Sequence, residues 1–243
     1  MNHWLARTEL LIGKQAVAQL QQAKVAVIGI GGVGGSAAEA LVRAGVGNLL
    51  LIDHDTIDVT NLNRQLFTTA NNIGCSKCEA GKSRLLSINP NCNITVSEAF
   101  YAADNRDPLL NYQPDFVIDA IDTVSAKLDL VVTCNERNIP LISCLGTGNR
   151  LDPTQFVIGD ISDTAKCGCG CGLARVMRRE LRKREIYTHP VVYSTEIPKT
   201  IVCPDSTNGR HSPASISFCP PVAGYLLASY AVKQLISKTE SNE

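Results

Sequence analysis

A glycine-rich turn between two apolar segments near the amino terminus constrains the fold more than any other feature. Residues 25–28 (VAVI) form a short apolar run, as in a buried parallel strand. A glycine-rich stretch follows at once and includes Gly29, Gly31, Gly32 and Gly34. Residues 36–43 then have the spacing of a helix, and the apolar run 49–52 predicts a second strand that ends in Asp53. Strand, glycine turn, helix, strand and acid in this order are typical of a nucleotide-binding unit.

The glycines allow a close approach between the backbone and a bound anion. A side chain at Gly29 or Gly31 would block the turn or push a phosphate away from the helix amino terminus, where free N–H groups favour negative charge. The Asp53 carboxylate can accept hydrogen bonds from ribose hydroxyls. The alternative is a tight structural turn without a ligand. The pattern does not identify the nucleotide, since an NAD-dependent dehydrogenase would show the same stretch.

The rest of the chain continues this alternation of strands and helices. Further predicted strands cover 93–99, 116–121, 140–145, 155–161 and 190–195, and further predicted helices cover 7–22, 76–88, 104–110, 124–138, 173–186 and 220–236. The alternation predicts an α/β fold, Rossmann-like, with a mostly parallel sheet, helices on both faces and antiparallel strands added in the C-terminal part. The predicted organisation is an N-terminal helical arm (1–22), a nucleotide-binding core (23–150) and a C-terminal extension of the same domain on the substrate side (151–243). Residues 203–217 predict a loop whose end extends into a strand at 216–218.

Composition limits the choice of partners. Hydrophobic residues make up 44% of the 243 residues, enough for a substantial core. Lys and Arg total 23 and Asp and Glu also total 23, so no global positive charge indicates nucleic acid. No apolar run approaches the length of about 20 residues that a membrane span needs, and the first residues lack the pattern of a secretory signal. We therefore expect a cytoplasmic protein with no membrane partner. Its ten cysteines favour free thiols or metal ligands over a disulfide framework.

Polar and charged side chains gather after the second predicted strand. Asn61, Arg64 and Gln65 follow Asp53, at the kind of strand end where open α/β sheets bind ligands. The Arg64 guanidinium suits phosphate oxygens, and the alternative is a solvated loop with a surface arginine. Lys77 lies in the first turn of a predicted helix, where the dipole disfavours a cation unless a polyphosphate is bound.

A second acidic position follows the fourth predicted strand. Asp122 faces the same sheet edge as Asp53, and a carboxylate beside a triphosphate is a natural Mg²⁺ ligand. The alternative role for Asp122 is to cap the helix that follows, and one residue can do both. Lys127 lies one turn into that helix and is expected to reach the nucleotide.

The C-terminal part contains a cysteine run and a basic helix. Cys167, Cys169 and Cys171 alternate with glycine, which suits a thiophilic metal, redox chemistry or a plain flexible loop. The predicted helix after them carries a set of cations that suits a phosphate backbone, with an ordinary solvated helix as the alternative. These cations are Arg175, Arg178, Arg179, Arg182, Lys183 and Arg184.

These motifs together resemble a known superfamily. GIGGVG, LLIDHD, NLNRQ, Lys77 at a helix start and DAID are similar to the adenylyltransferases related to ubiquitin-activating enzymes, which include the ThiF and MoeB proteins. GTGNRLDPTQF, RVMRRELRKR, VVYSTEIP and SFCPPVAG narrow the resemblance to the tRNA threonylcarbamoyladenosine dehydratase (TcdA) branch. The resemblance covers nearly the whole chain.

The resemblance implies a reaction and a role for each matching residue. In this superfamily ATP activates a carboxylate as an acyl adenylate and releases pyrophosphate. For the dehydratase branch the carboxylate belongs to threonylcarbamoyladenosine at position 37 of tRNA, and ring closure expels AMP. Asp53 would hold the ribose, Asn61, Arg64 and Lys77 the phosphates with Gln65 beside them, and Asp122 the Mg²⁺. Arg7 matches the arginine that reaches the partner subunit's site in family homodimers.

The resemblance also leaves differences and rivals. ThiF and MoeB proteins carry two CxxC zinc pairs, one near the chain end, whereas this chain has no cysteine after Cys219, so a structural zinc is doubtful. One rival function is adenylation of the C-terminal glycine of a ubiquitin-like sulfur carrier. The resemblance also implies a sulfur-transfer protein as a partner. Other rivals are an NAD-dependent oxidoreductase and a non-catalytic nucleotide sensor. The oxidoreductase gives no reason for Arg64, Lys77 and Asp122 to gather near one sheet edge, and the intact set of these three residues argues against a sensor that has lost catalysis.

Overall fold

The computed structural model describes residues 3–200 and 213–237. Its helices are α1 (Ala6–Gln22), α2 (Gly32–Ala44), α3 (Lys77–Ile88), α4 (Asp107–Tyr112), α5 (Val124–Glu136), α6 (Gly172–Arg182) and α7 (Cys219–Ser237). Its strands are β1 (Lys24–Ile28), β2 (Asn48–Ile52), β3 (Asn93–Ser97), β4 (Phe116–Asp119), β5 (Leu141–Cys144), β6 (Phe156–Asp160) and β7 (Pro190–Ser194). Short 3₁₀ turns lie at Val59–Asn61, Ala70–Asn72, Pro153–Gln155 and Asp163–Ala165.

The strands form one sheet in the order β3-β2-β1-β4-β5-β7-β6. All neighbouring strands are parallel except β6, which runs antiparallel to β7. Val27 of β1 pairs with Leu51 of β2 on one side and with Ile118 of β4 on the other. From β1 the chain first adds β2 and β3 on one side of the sheet and then β4 and β5 on the other. The order of strands therefore reverses between β1 and β4, and folds of this kind bind ligands at that point. The predicted α/β fold with a mostly parallel sheet is confirmed.

Two hydrophobic layers cover the sheet because alternate strand residues point to opposite faces. Val25 and Val27 pack in the layer that contains α2, α3 and α7. Ala26 and Ile28 pack in the opposite layer, against residues of α5 and α6. The apolar runs of the sequence are thus strands buried on both faces, as a parallel sheet requires.

Several predicted boundaries differ from the structure. Helix α2 begins at Gly32 rather than at residue 36, because the last glycines of the turn already have helical backbone. The predicted strand at 216–218 is wrong, since these residues have no regular structure before α7. The sequence predicts antiparallel strands in the C-terminal part, but only β6 runs opposite to the rest of the sheet. Strand β7 pairs in parallel with β5. Helix α6 ends at Arg182 rather than at residue 186.

Other predictions concern the ends of the chain. The N-terminal helical segment bends at Gly13, whose φ is 83°. Residues 203–212 of the predicted loop lie outside the described residues. Within 3–200 and 213–237, no helix has both the length and the apolar character that crossing a membrane would require.

Candidate active site

A cavity of about 950 Å³ opens at the carboxyl ends of β1, β2, β4 and β5, where the strand order reverses. Most of the site residues predicted from the sequence line it: Gly29, Gly31, Gly32, Asp53, Asn61, Arg64, Gln65, Lys77 and Asp122. Residues far apart in the chain thus meet in one place, as the strand-end argument predicts. The volume suits a nucleotide-sized ligand.

The glycine turn is held tightly against the start of α2. Gly29 has a φ of 86°, and a Cβ on it would lie 2.7 Å from the carbonyl oxygen of Ala120. A Cβ on Gly34 would lie 1.8 Å from the carbonyl oxygen of Gly29. Gly34 does not line the cavity, so its contribution is to let the helix pack on the turn. Gly31 caps α2 without any side-chain hydrogen bond, which leaves the first N–H groups of the helix for an anion.

Asp53 connects β2 to this turn. Its Oδ2 accepts a hydrogen bond of 2.6 Å from the backbone N–H of Ile30, and its Oδ1 accepts one of 2.9 Å from the N–H of Asp55. The carboxylate is only partly buried and also borders the cavity. The structure therefore fixes its position beside the glycines, and its contact with a ribose stays a prediction.

Two cations line the cavity: Arg64 in the segment between β2 and α3, and Lys77 at the first position of α3. Arg64 donates from Nη1 to the carbonyl oxygen of Thr60 at 2.9 Å and to Oδ1 of Asn63 at 2.8 Å, so its guanidinium is anchored by its own loop. Lys77 Nζ lies 2.6 Å from Oδ2 of Asp55, and only 9% of the Lys77 side chain is exposed. Asp55 thus neutralises a nearly buried ammonium in the absence of another anion.

Gln65 carries an unsatisfied group at the cavity wall. The residue is 8% exposed, and its Oε1 is buried without a hydrogen-bond partner in the structure. A buried amide oxygen without a donor is costly, so a bound molecule that donates a hydrogen bond there would be stabilised. Asn61 beside it uses its own Oδ1 to accept from the N–H of Asp58 at 3.1 Å.

Asp122 is an exposed carboxylate at the end of β4 and lines the cavity. The alternative that it caps α5 is wrong, because the residue at the cap position is Thr123. Thr123 Oγ1 makes a weak contact of 3.4 Å with Oδ1 of Asp122. Carboxylate oxygens in such an exposed position suit a hard cation such as Mg²⁺.

Lys127 is placed differently from its prediction. It is fully buried and does not line the cavity, since its Nζ lies 2.8 Å from Oδ2 of the equally buried Asp119. The same Oδ2 accepts 2.5 Å from Ser143 Oγ, which lies 2.7 Å from Nε2 of His189. Burial, and then the nearby ammonium of Lys127, lowers the pKa of His189 to about 4, so the imidazole is neutral at pH 7. The prediction that Lys127 reaches the nucleotide is therefore wrong, because its side chain pairs with the buried carboxylate of Asp119.

The buried cluster of Asp119, Lys127, Ser143 and His189 is hydrogen-bonded to the backbone of the cavity wall. Oδ1 of Asp119 accepts a hydrogen bond of 3.0 Å from the N–H of Ile121. Ile121 lines the cavity and directly precedes Asp122 in the chain. Lys127 therefore acts on the site through the backbone that it helps to hold rather than by contact.

The remaining predicted residues lie outside the cavity. Arg7 is exposed on α1. The basic residues of α6 flank a buried face that contains Ala174, Met177 and Leu181. Three of its cations are exposed, Arg175, Arg179 and Arg182, and so are Lys183 and Arg184 directly after its end. Arg178 is half-buried and donates to Thr164 Oγ1 at 2.5 Å.

One acidic residue reduces the positive charge of α6. Glu180 pairs with Arg179 and Lys183 at 3.0 Å each and with Arg184 at 3.3 Å. Hydrogen bonds from Lys183 and Arg179 lower the pKa of Glu180 to about 2. The exposed cations without such a pair in the described structure are Arg175 and Arg182, so they contribute most to any anion-binding surface.

Sequence reasoning overlooked several residues of the cavity wall. His54 and Phe100 both line it and meet edge to face, with ring centroids 4.8 Å apart. The motifs also do not identify Asp55 as the partner of Lys77, although it lies three residues after β2 within the LLIDHD motif. The position of Phe100, three residues after β3, is the signal that could have placed it at the same sheet edge.

Comparisons with known proteins agree with this geometry. The sequence pattern of the ThiF family matches residues 5–243. The chain is similar to the tRNA threonylcarbamoyladenosine dehydratase of Bacillus subtilis strain 168, with 40% identity over 251 residues that cover 99% of this chain and 97% of the relative. The crystal structure of E. coli tRNA N6-threonylcarbamoyladenosine dehydratase, TcdA, in complex with AMP aligns with a TM-score of 0.87 and 31% identity, over 99% of this chain and 98% of that one.

The complex of the same E. coli protein with ATP aligns with a TM-score of 0.87 and 32% identity, over 98% of this chain and 96% of that one. These matches confirm the resemblance and the fold that the sequence indicates. Since the match extends over nearly the whole chain and includes the glycine turn and the cavity residues, this protein belongs to the ThiF family.

Proposed function

We propose that this protein is an ATP-dependent tRNA threonylcarbamoyladenosine dehydratase. The observation that carries the proposal is the convergence of a glycine turn, two cations and a carboxylate in one cavity at the strand ends. An NAD-dependent oxidoreductase would use the same turn but would not need Arg64, Lys77 and Asp122 at its edge. The near full-length similarity to proteins with the dehydratase name supports the specific reaction.

ATP fits the polar groups of the cavity. The amino terminus of α2 and the cations Arg64 and Lys77 would neutralise phosphate oxygens. Binding of a phosphate would free Lys77 from Asp55, which is half exposed and would return to water. Gln65 Oε1, unpartnered in the structure, would accept a hydrogen bond from the bound substrate.

Asp122 is the residue that would hold Mg²⁺. Its exposed carboxylate, next to the glycine turn, matches the oxygen ligands that Mg²⁺ prefers. When bound, the ion would supply positive charge to phosphate oxygens.

The proposed chemistry needs positioning and charge neutralisation rather than a nucleophile from the protein. The threonyl carboxylate attacks the α-phosphorus of ATP, and pyrophosphate leaves. Arg64 and Lys77 would stabilise the negative charge that develops on the phosphates. An internal attack on the activated carboxyl group then closes the ring and expels AMP, so the modified adenosine loses one water overall.

The basic helix α6 is the proposed tRNA contact. Leu173, in its first turn, lines the cavity, so α6 begins beside the site and its exposed cations follow along the helix. Replacing Arg175 and Arg182 by alanine should weaken tRNA binding. The decrease of the logarithm of the binding constant with the logarithm of the salt concentration should become less steep, by about two units of slope at most. An unchanged slope would remove α6 from the tRNA surface. Arg179→Ala is the matched control, since Arg179 already pairs with Glu180.

A homodimer completes the proposal. Leu10 and Leu11 on α1 are 69% and 85% exposed, on the same helix as Arg7. Exposed apolar side chains on an amphipathic segment suit a subunit interface, and a partner subunit would bring Arg7 towards the neighbouring cavity.

A sulfur-transfer partner protein and a cytoplasmic location remain predictions. Both proposed substrates, ATP and tRNA, are abundant in the cytoplasm.

The test is AMP release from ATP and Mg²⁺ with three substrates in parallel. These are tRNA that bears threonylcarbamoyladenosine, the same tRNA without the modification, and a ubiquitin-like sulfur carrier. AMP with the modified tRNA alone supports the dehydratase. AMP with the carrier alone would move the protein to the sulfur-carrier function. Failure to release AMP with any substrate, together with tight NAD binding, would support the oxidoreductase.

A further inference from the structure

Two cysteines of the CGCGC segment form a close thiol pair that the proposed reaction does not use. Sγ of Cys167 lies 2.7 Å from Sγ of Cys169, and Cys167 also points to the carbonyl oxygen of Thr164 at 3.5 Å. A disulfide has a sulfur–sulfur distance of about 2.05 Å, so bond formation needs an approach of less than about 1 Å. Among the other described cysteines, no second pair of sulfur atoms is in mutual hydrogen-bond contact.

The two thiols differ in their access to solvent. Cys167 is half-buried, whereas Cys169 is 1% exposed. An oxidant dissolved in water can therefore reach Cys167 first, and Cys169 lies behind it as the group that can displace a leaving group. An accessible thiol with an adjacent resolving thiol is one feature of redox-active cysteines. Burial first, and then the hydrogen bond to Cys169, raise the pKa of the Cys167 thiol, so the attack by its thiolate is expected to become faster as pH rises.

The backbone around the pair has room to adjust. Gly168 and Gly170 both have a φ of 65°, and a Cβ on either would meet nothing within 4 Å. Gly168, which lies between the two cysteines, is thus not held by packing, whereas the carbonyl oxygen of Cys169 accepts a hydrogen bond of 3.4 Å from Nη2 of Arg150. The backbone at other buried thiols is held in regular structure. Cys78 lies in α3 and Cys144 lies in β5, both within the hydrophobic layers.

A metal site explains the pair less well. Within 3–200 and 213–237, the only group of three or more Cys, His or carboxylate donors that lie together is Asp53, His54 and Asp55. Cys171 is used elsewhere, because its Sγ accepts a hydrogen bond from the N–H of Ala174 at the start of α6. The pair therefore has two sulfur donors and no third ligand nearby in the described structure, whereas protein zinc sites have about four ligands.

We propose that Cys167 and Cys169 form a reversible intramolecular disulfide by exchange with low-molecular-weight disulfides. The Cys167 thiolate attacks one sulfur of the small disulfide, forms a mixed disulfide and releases one small thiol. The Cys169 thiolate then attacks Sγ of Cys167 and releases the second small thiol. The protein dithiol loses two electrons and two protons, and the small disulfide gains them. This site does not depend on the proposed function.

The test uses the full chain, first reduced and then treated with oxidised glutathione. After acid quenching and alkylation, trypsin cleaves after Lys166 and Arg175, so one peptide contains Cys167, Cys169 and Cys171. We expect this peptide to carry one alkyl group, on Cys171, and to lose the mass of two hydrogens. Fragmentation should place the bond between Cys167 and Cys169.

Variants separate the two roles. Cys169→Ser should accumulate glutathione on Cys167, because the resolving thiol is missing. Cys167→Ser should leave Cys169 without glutathione because it is buried, and Cys171→Ser should keep the disulfide. Full alkylation of the wild-type peptide, persistent glutathione on wild-type Cys167, or a bond to Cys171 would each overturn the proposal. So would Zn²⁺ retained by the wild type after dialysis and released by Cys167→Ser.

Discussion

Replacing Lys127 by methionine tests how the cavity is supported. Methionine has a similar length but no charge, so the change removes the ammonium from the buried pair with Asp119. Both side chains are fully buried, so the remaining carboxylate cannot turn to water. It keeps the hydrogen bonds from Ser143 Oγ and from the N–H of Ile121.

Breaking a buried ion pair by removing one partner costs about 3–5 kcal/mol. The two remaining hydrogen bonds to Asp119 place the expected loss at the lower end, at about 3 kcal/mol. For a chain of this size that corresponds to a fall in Tm of roughly 6–12 °C. Lys233→Met is the matched control, because Lys233 is exposed on α7 and its replacement should change stability by less than about 0.5 kcal/mol.

A second variant separates charge from packing. In the double variant of Lys127→Met with Asp119→Asn, the new amide can donate to Ser143, whose hydroxyl can then donate to neutral His189. The double variant should therefore be more stable than Lys127→Met alone in urea unfolding followed by circular dichroism. The reasoning fails if Lys127→Met costs less than about 1 kcal/mol, or if neutralising Asp119 recovers no stability.

Four further predictions follow from the same structure. Because the pKa of His189 is lowered to about 4, unfolding free energy should be highest above about pH 6.5 and should fall by about 3 kcal/mol as pH drops towards 4, a slope in urea titrations that His189→Gln should reduce. Gly34→Ala should weaken ATP binding in calorimetry, since its Cβ would meet the Gly29 carbonyl oxygen, whereas Gly172→Ala has open space and should bind normally. Lys77→Met should slow AMP formation on the order of a hundredfold with an unchanged circular dichroism spectrum, and a rate near wild type would exclude Lys77 from the phosphate site. Leu11→Glu should convert a dimer to a monomer in light scattering, and an unchanged mass would place the interface elsewhere.

The sequence predicts the cavity well because its residues follow strand ends. Gly29, Asp53 and Asp122 each come directly after an apolar run, so a parallel sheet brings them to one edge whatever the details of packing. Arg64 lies on the connection between that edge and α3, which limits how far it can move from the cavity. These predictions depend on topology alone.

Predictions that depend on side-chain direction are less secure. Lys127 is one turn from Asp122, yet it points into the buried cluster, because Asp119 at the end of β4 offers a buried carboxylate. The partner Asp119 is visible in the sequence, but the register that brings Ser143 beside it depends on β4 and β5 pairing. Glu180 likewise lies within the basic helix, and only the structure shows which cations it neutralises.

The most direct test of the account counts two products of one reaction. The protein is incubated with ATP, Mg²⁺ and tRNA that bears threonylcarbamoyladenosine, and both AMP and the mass of the modified nucleoside are measured over time. The account predicts one AMP for each nucleoside that loses one water, and neither product with Lys77→Met on the same timescale. AMP without a change in nucleoside mass, or water loss without ATP, would contradict it.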